Sequence, residues 1–160
     1  MARASRDAID IGSNPDGAVQ QRPIRSICLR CRDDRETISA DIRGGARLAQ
    51  AVLQSGIKEA ALDVRGVHCL SQCKRPCTVA ISGPDRFTYL FGDLDPTCHA
   101  QDVVDLAALY VRSPNGFMAR NDRPQAMRAG VLGRVPPLGW SGAAVETVTL
   151  TPPTLKEPRS

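Results

Sequence analysis

Apolar residues in this chain gather into short runs with two different periods, separated by turn-forming residues. Residues 24–29 form a brief apolar run ending beside a cysteine, and they predict a strand. Over 45–55, Ala46, Ala49 and Leu53, with Val52 alongside, recur at helical spacing and predict one helix face. Residues 61–67 and 78–82 read as two further strands. Gly83, Pro84 and Asp85 make a turn, and 87–91 is a fourth strand on which Tyr89 and Phe91 alternate toward a core. Asp95 and Pro96 then mark a helix start, with the carboxylate as cap and the proline in the first turn. Val103, Leu106, Ala107, Tyr110 and Val111 follow at helical spacing as a core-facing stripe.

The order is β-α-β-β-β-α, which predicts an α/β fold, a small mixed sheet with helices packed on it. If the first two strands are parallel neighbours, the residues just beyond them meet at one sheet edge. That edge is where α/β sheets place their sites. Residues 1–22 are polar, turn-rich around Ser13 to Gly17, and predict a disordered leader. Residues 23–138 hold the domain, and 112–138 form an arginine-rich extension at its end. Residues 139–160, with Pro152, Pro153 and Pro158, read as a flexible tail with a short strand at 145–150.

Composition narrows the class. The chain has 160 residues, 42% of them hydrophobic, which permits a core. Aromatic residues are 4%, so aliphatic side chains must do most of the packing. Net charge is +4 from 21 basic and 17 acidic residues, without the dense basic face that argues for nucleic acid. No apolar run approaches the ~18 residues of a membrane span. Basic residues near the start are followed by no apolar stretch of a secretory signal, so the expected compartment is the cytoplasm, where thiols stay reduced.

Six cysteines carry the candidate chemistry: Cys28-x-x-Cys31, then Cys69-x-x-x-Cys73-x-x-x-Cys77, then Cys98. The first pair follows the first predicted strand and the second cluster follows the second. Two thiolates from one loop can face one metal centre. Four in two pairs suit a zinc tetrahedron, or the two irons of a [2Fe–2S] cluster with one pair per iron. Cys98 is expected to be a small buried hydrophobe. Arg25, Arg30, Arg32 and Arg35 flank the first pair, and Lys74 and Arg75 sit in the second cluster. Such cations favour the thiolate and raise a centre's reduction potential. His68 and His99 adjoin Cys69 and Cys98 and are further metal-ligand candidates, although a histidine beside a cysteine is usually only a neighbour. A rival reading makes Cys28 and Cys31 a dithiol oxidoreductase pair, but Arg-Asp-Asp-Arg-Glu after it reads as loop rather than helix. Arg112, Arg120, Arg123, Arg128 and Arg134 crowd the extension and are expected to wrap back onto the domain, with anion or partner docking as the alternative. No P-loop, G-x-S-x-G or H-E-x-x-H is present, so no catalytic constellation is identified.

Val67-His68-Cys69-Leu70-Ser71-Gln72-Cys73 after an apolar strand resembles the second half of the thioredoxin-like [2Fe–2S] ferredoxin motif. Cys28, Cys31, Cys69 and Cys73 match that family's cysteine positions in order. The first pair is closer together than usual there, and Cys77 is an additional thiol. The resemblance implies a thioredoxin-like fold and a [2Fe–2S] cofactor on those four residues, with Cys77 able to replace one of them. The chain also resembles, across most of 25–138, a bacterial family of predicted metal-binding proteins of unknown function. The shared features are the two cysteine clusters, Thr88 through Leu94, Arg123-Pro124 and Arg134 through Pro137. That resemblance implies metal handling linked to cobalamin, with zinc or cobalt bound by a metallochaperone or adaptor. The partners expected are a redox or metal-handling protein, with a homodimer as one arrangement, and neither nucleic acid nor membrane.

Overall fold

The structure is a computed structural model, and it describes residues 22–36, 42–56 and 62–143. The expected leader, the tail and the strand at 145–150 lie outside the described residues, apart from a few at their inner ends. Five strands form one mixed sheet: β1 (Ile24–Cys28), β2 (Asp63–Val67), β3 (Val79–Ser82), β4 (Thr88–Phe91) and β5 (Val131–Val135). Their order across the sheet is β2-β1-β3-β4-β5. β1 and β2 are parallel, joined through helix α1 (Gly44–Gln54), whereas β3, β4 and β5 continue antiparallel. Helix α2 (Ala100–Arg112) follows β4, and short α3 (Gln125–Ala129) precedes β5. A βαβ unit joined to a ββα unit in this strand order is the thioredoxin-like arrangement.

Register explains the core. Arg25 stands beside Ile81, which stands beside Tyr89, and Ile27 beside Val79, which stands beside Phe91. Laterally paired residues share a face, so one sheet face carries Ile27, Val79, Ile81, Tyr89 and Phe91, all essentially inaccessible. Helices α1 and α2 cover this face with Leu48, Val52, Val103, Leu106 and Tyr110. Each such apolar side chain contributes about 1.5–3 kcal/mol by leaving water. Tyr110 closes the far end by donating its hydroxyl to the Phe87 carbonyl at 2.8 Å.

The α1 face is rotated from the one the sequence suggests. Gly44, Gly45, Leu48 and Val52 are buried, whereas Leu53 is 60% exposed. The glycines at its start belong to the buried stripe, which apolar spacing does not reveal. The second helix starts at Ala100 instead of Asp95. Asp95 caps the turn before it, accepting from the Thr97 amide at 2.8 Å, and its own amide donates to His99 Nδ1 at 2.9 Å.

The arginine-rich extension does fold back, and it adds α3 and β5, which the sequence pattern did not predict. Arg123 is buried, donates twice to the Met118 carbonyl and lies over the Tyr89 ring at 5.2 Å. Arg128 donates to the carbonyls of Arg123 and Asn121, and Arg120 donates to that of Arg128. Arg134 lies over Phe87 and Phe117. Met127 of α3 is fully buried in the same core. Met127→Ala should therefore cost about 2–5 kcal/mol in urea unfolding, as a core methionine does. A loss below about 1 kcal/mol would show that α3 is not part of the cooperative unit.

Candidate metal centre

Parallel pairing sets Cys28, the last residue of β1, opposite Val67, the last residue of β2. Both chains then turn at the same edge. The Leu29 amide donates to the Val67 carbonyl at 2.8 Å, and the Cys28 thiol approaches the His68 carbonyl at 3.8 Å. The loop carrying Cys31 and the loop carrying Cys69 and Cys73 thus start side by side. Cys28 and Cys31 are buried, and Cys69 and Cys73 are exposed.

The thiols associate as two pairs. Burial pushes the Cys28 thiol up, but hydrogen bonds from the Cys31 thiol and from the amides of Arg30, Leu70 and Cys31 more than offset it. The net shift of Cys28 is downward, toward the thiolate. Cys31 moves the opposite way, through burial and its bond to Cys28, while Thr78 Oγ1 at 3.6 Å partly counters the rise. In the second pair the field of Cys69, and its hydrogen bond to Cys73, raise the Cys73 thiol. Cys28 adds a smaller part to that rise. The Ser71 amide donates to Cys69 Sγ at 3.2 Å. Among the described residues, no three Cys, His, Asp or Glu side chains already stand in metal-holding geometry.

The remaining candidates separate clearly. Cys77 is fully buried, and burial pushes its thiol up to about 12. Cys98 is exposed in the turn before α2. The buried hydrophobic cysteine is thus Cys77 and not Cys98: Cys77 lies two residues before β3, in the core cluster, with its amide donating to the Leu94 carbonyl at 3.1 Å. His68 is exposed beside Cys69, and His99 is engaged by the Asp95 amide. Arg25 does not flank the thiols at all. It points beneath α2, donating to the Val103 carbonyl at 3.3 Å, and burial lowers its pKa to about 10.

Residues with no sequence signal shape the site. The α1 N-terminus abuts the first pair, with the Gly45 amide donating to the Cys31 carbonyl at 3.1 Å. Glu36 accepts from the Gly44 amide at 3.1 Å and the Asp33 amide at 3.2 Å, serving the helix end from across the loop. Two ion pairs tie both cysteine loops to the segment after β4. Arg35 grips Asp95 through two bonds of 2.6 and 2.8 Å, and Arg75 grips Asp93. Thr97 joins Arg35 in holding the Asp95 carboxyl well below the usual carboxylate range. Gly92 lets these segments meet, since a Cβ there would lie 2.6 Å from the Arg75 carbonyl oxygen.

Fold and site together define a thioredoxin-like α/β protein with two cysteine pairs at one sheet edge. Residues 26–137 match the family described as Protein of unknown function (DUF1636), and the chain belongs to that family. No curated protein matches it. One similar solved structure is a thioredoxin-like [2Fe–2S] ferredoxin from Aquifex aeolicus. It is 13% identical, with a TM-score of 0.46 over 76% of this chain and 99% of that one. No helix among the described residues is long and apolar enough to cross a membrane.

Two predictions test the site's framework. A Cβ at Gly45 would lie 1.9 Å from the Cys28 carbonyl oxygen, a backbone atom that cannot swing aside. Gly45→Ala should therefore displace the first cysteine loop and destabilise the fold by more than the ~0.5 kcal/mol of ordinary surface changes. Thermal melting unchanged from the parent would refute the close approach. Asp95→Asn keeps the acceptor for Thr97 but loses the Arg35 pair. Because the folded carboxyl titrates below its unfolded value, its stabilisation is present above about pH 4 and fades as pH falls through the lowered folded pKa. The variant should melt below the parent at pH 7, with the gap closing below pH 3. A gap constant with pH would count against the pair.

Proposed function

We propose that this protein holds a [2Fe–2S] cluster on Cys28, Cys31, Cys69 and Cys73 and works as a ferredoxin-like electron carrier. The single observation that carries this reading is the arrangement of thiols as two pairs on loops that leave the ends of β1 and β2 side by side, Cys28 with Cys31 and Cys69 with Cys73. Two irons with two thiolates each match that grouping. When bound, such a cluster supplies a one-electron couple.

The residues of this chain support the reading in three ways. Amide donors around Cys28 favour its thiolate, the form a ligand needs. The positive end of α1 faces the loop of the first pair. The Arg35–Asp95 and Arg75–Asp93 pairs hold both loops against one segment, which limits how far the two pairs can separate. Cys77 is fully buried in the core and stands outside the preferred set, as the fifth candidate ligand. The dithiol oxidoreductase reading is weaker, because exchange needs an accessible thiolate and Cys28 is 3% exposed.

Anaerobically purified protein should be brown and contain iron and acid-labile sulfide in equal amounts. Serine in place of Cys28, Cys31, Cys69 or Cys73 should remove most of the iron, whereas Cys98→Ser should retain it. Cys77→Ser reports whether the fifth thiol enters the set. Colourless protein with one zinc per chain would overturn the cluster in favour of the same thiolates around a single ion.

A further inference from the structure

The cations near the thiols fall into two groups. Arg35, Arg47 and Arg75 are paired with Asp95, Asp33 and Asp93, and Arg65 donates to Ser26 Oγ at 2.9 Å. Arg30, Arg32 and Lys74 are exposed and make no ion pair among the described residues. Their placement follows from the loop. Cys31 turns inward and is 5% exposed, so Arg30 and Arg32 on either side of it turn outward. Lys74 follows exposed Cys73 in the neighbouring loop. Residues 28–32 and 68–74 contain three cations and no carboxylate. The ends of the two thiol-bearing loops therefore share a cationic rim, while Asp33, Asp93 and Asp95 face arginines of their own, Glu36 serves backbone amides, and exposed Asp34 lies two residues beyond Arg32.

We infer that this rim is a docking surface for an acidic redox protein, which it holds beside the thiol centre by charge complementarity. The inference rests on the electron-carrier reading above and names its partner's chemistry. Exposed, unpaired charges of one sign speed encounter and orient a partner, and their effect is strongly screened by salt. Placement of all three within one or two residues of a thiol ties that steering to the site an electron would leave from. A rim serving only to tune the thiols would need no exposure. Nucleic acid would call for a wider basic face with aromatics, and none of the six aromatic residues lies in these loops.

Oxidised flavodoxin, a strongly acidic protein, is a suitable probe. Its association with the full-length protein as purified is measured by calorimetry at about 0.02 M and about 0.3 M ionic strength. Affinity should fall with salt, and the triple variant Arg30→Glu, Arg32→Glu, Lys74→Glu should bind at least roughly tenfold more weakly at low salt. Arg30→Gln, Arg32→Gln, Lys74→Gln should fall between the two, and circular dichroism should show all variants folded. Arg112→Glu, a reversal elsewhere on the surface, should bind like the parent. Unchanged affinity in the triple variant, an equal loss in Arg112→Glu, or tighter binding of a duplex DNA fragment than of flavodoxin would each overturn the rim as an acidic-partner site. Iron analysis of the same sample reports separately on the cluster. Rim-dependent association without iron would keep the docking surface and remove the cluster, and iron without such association would do the reverse.

Discussion

Everything at the thiol edge depends on the parallel pairing of β1 with β2. Because Cys28 stands opposite Val67, two loops far apart in sequence leave the sheet at one level. A slip of one residue would turn the whole β1 pattern over, taking Ile27 out of the core and Arg25 with it. The register is therefore fixed by hydrophobic burial, while what it produces is polar: two thiol-bearing loops side by side. The core beneath α1 and α2 and the site at the strand ends are two results of one alignment.

That alignment leaves the loops themselves poorly supported by apolar contacts. Between His68 and Pro76 no residue is buried, and β2 is an edge strand with a largely exposed pattern. Ordering such a segment costs conformational entropy that burial does not offset. Charge takes over here. Arg75 and Arg35 reach Asp93 and Asp95, which flank buried Leu94 and so sit on a rigid platform after β4. Exposed ion pairs are individually weak, but two that converge on one anchored segment restrict both loops together.

Much of this was legible in the sequence and some was not, for definite reasons. The succession of elements from β1 to α2 and the spacing of Cys28, Cys31, Cys69 and Cys73 in two clusters follow from local period and local spacing. The stripe of α2 follows likewise. By contrast, the buried face of α1 is built on Gly44 and Gly45, whose role is absence of bulk against the cysteine loop, and no hydrophobicity pattern reports that. β5 was missed because Val131–Val135 is short, contains Gly133 and Arg134, and owes its place to pairing with β4. Sequence proximity to the thiols misplaces Arg25, and Cys98, expected to be buried, is exposed. An even number of strand positions separates Arg25 from Ile27, so it shares the core face and is buried under α2.

Arg25 also shows which part of the protein tolerates electrostatic cost. Arg25 is 2% exposed, its guanidinium donates to one carbonyl of α2, and its Nε has no partner among the described residues. A buried cation so poorly satisfied is costly, and a hydrophobic residue of similar size would commonly be neutral or better there. The aliphatic core around it must supply the surplus that carries this cost. At the opposite extreme, Arg30, Arg32 and Lys74 are exposed and make no ion pair among the described residues. Cations in that position, which border the thiols on both loops, are best accounted for by what approaches the site from outside.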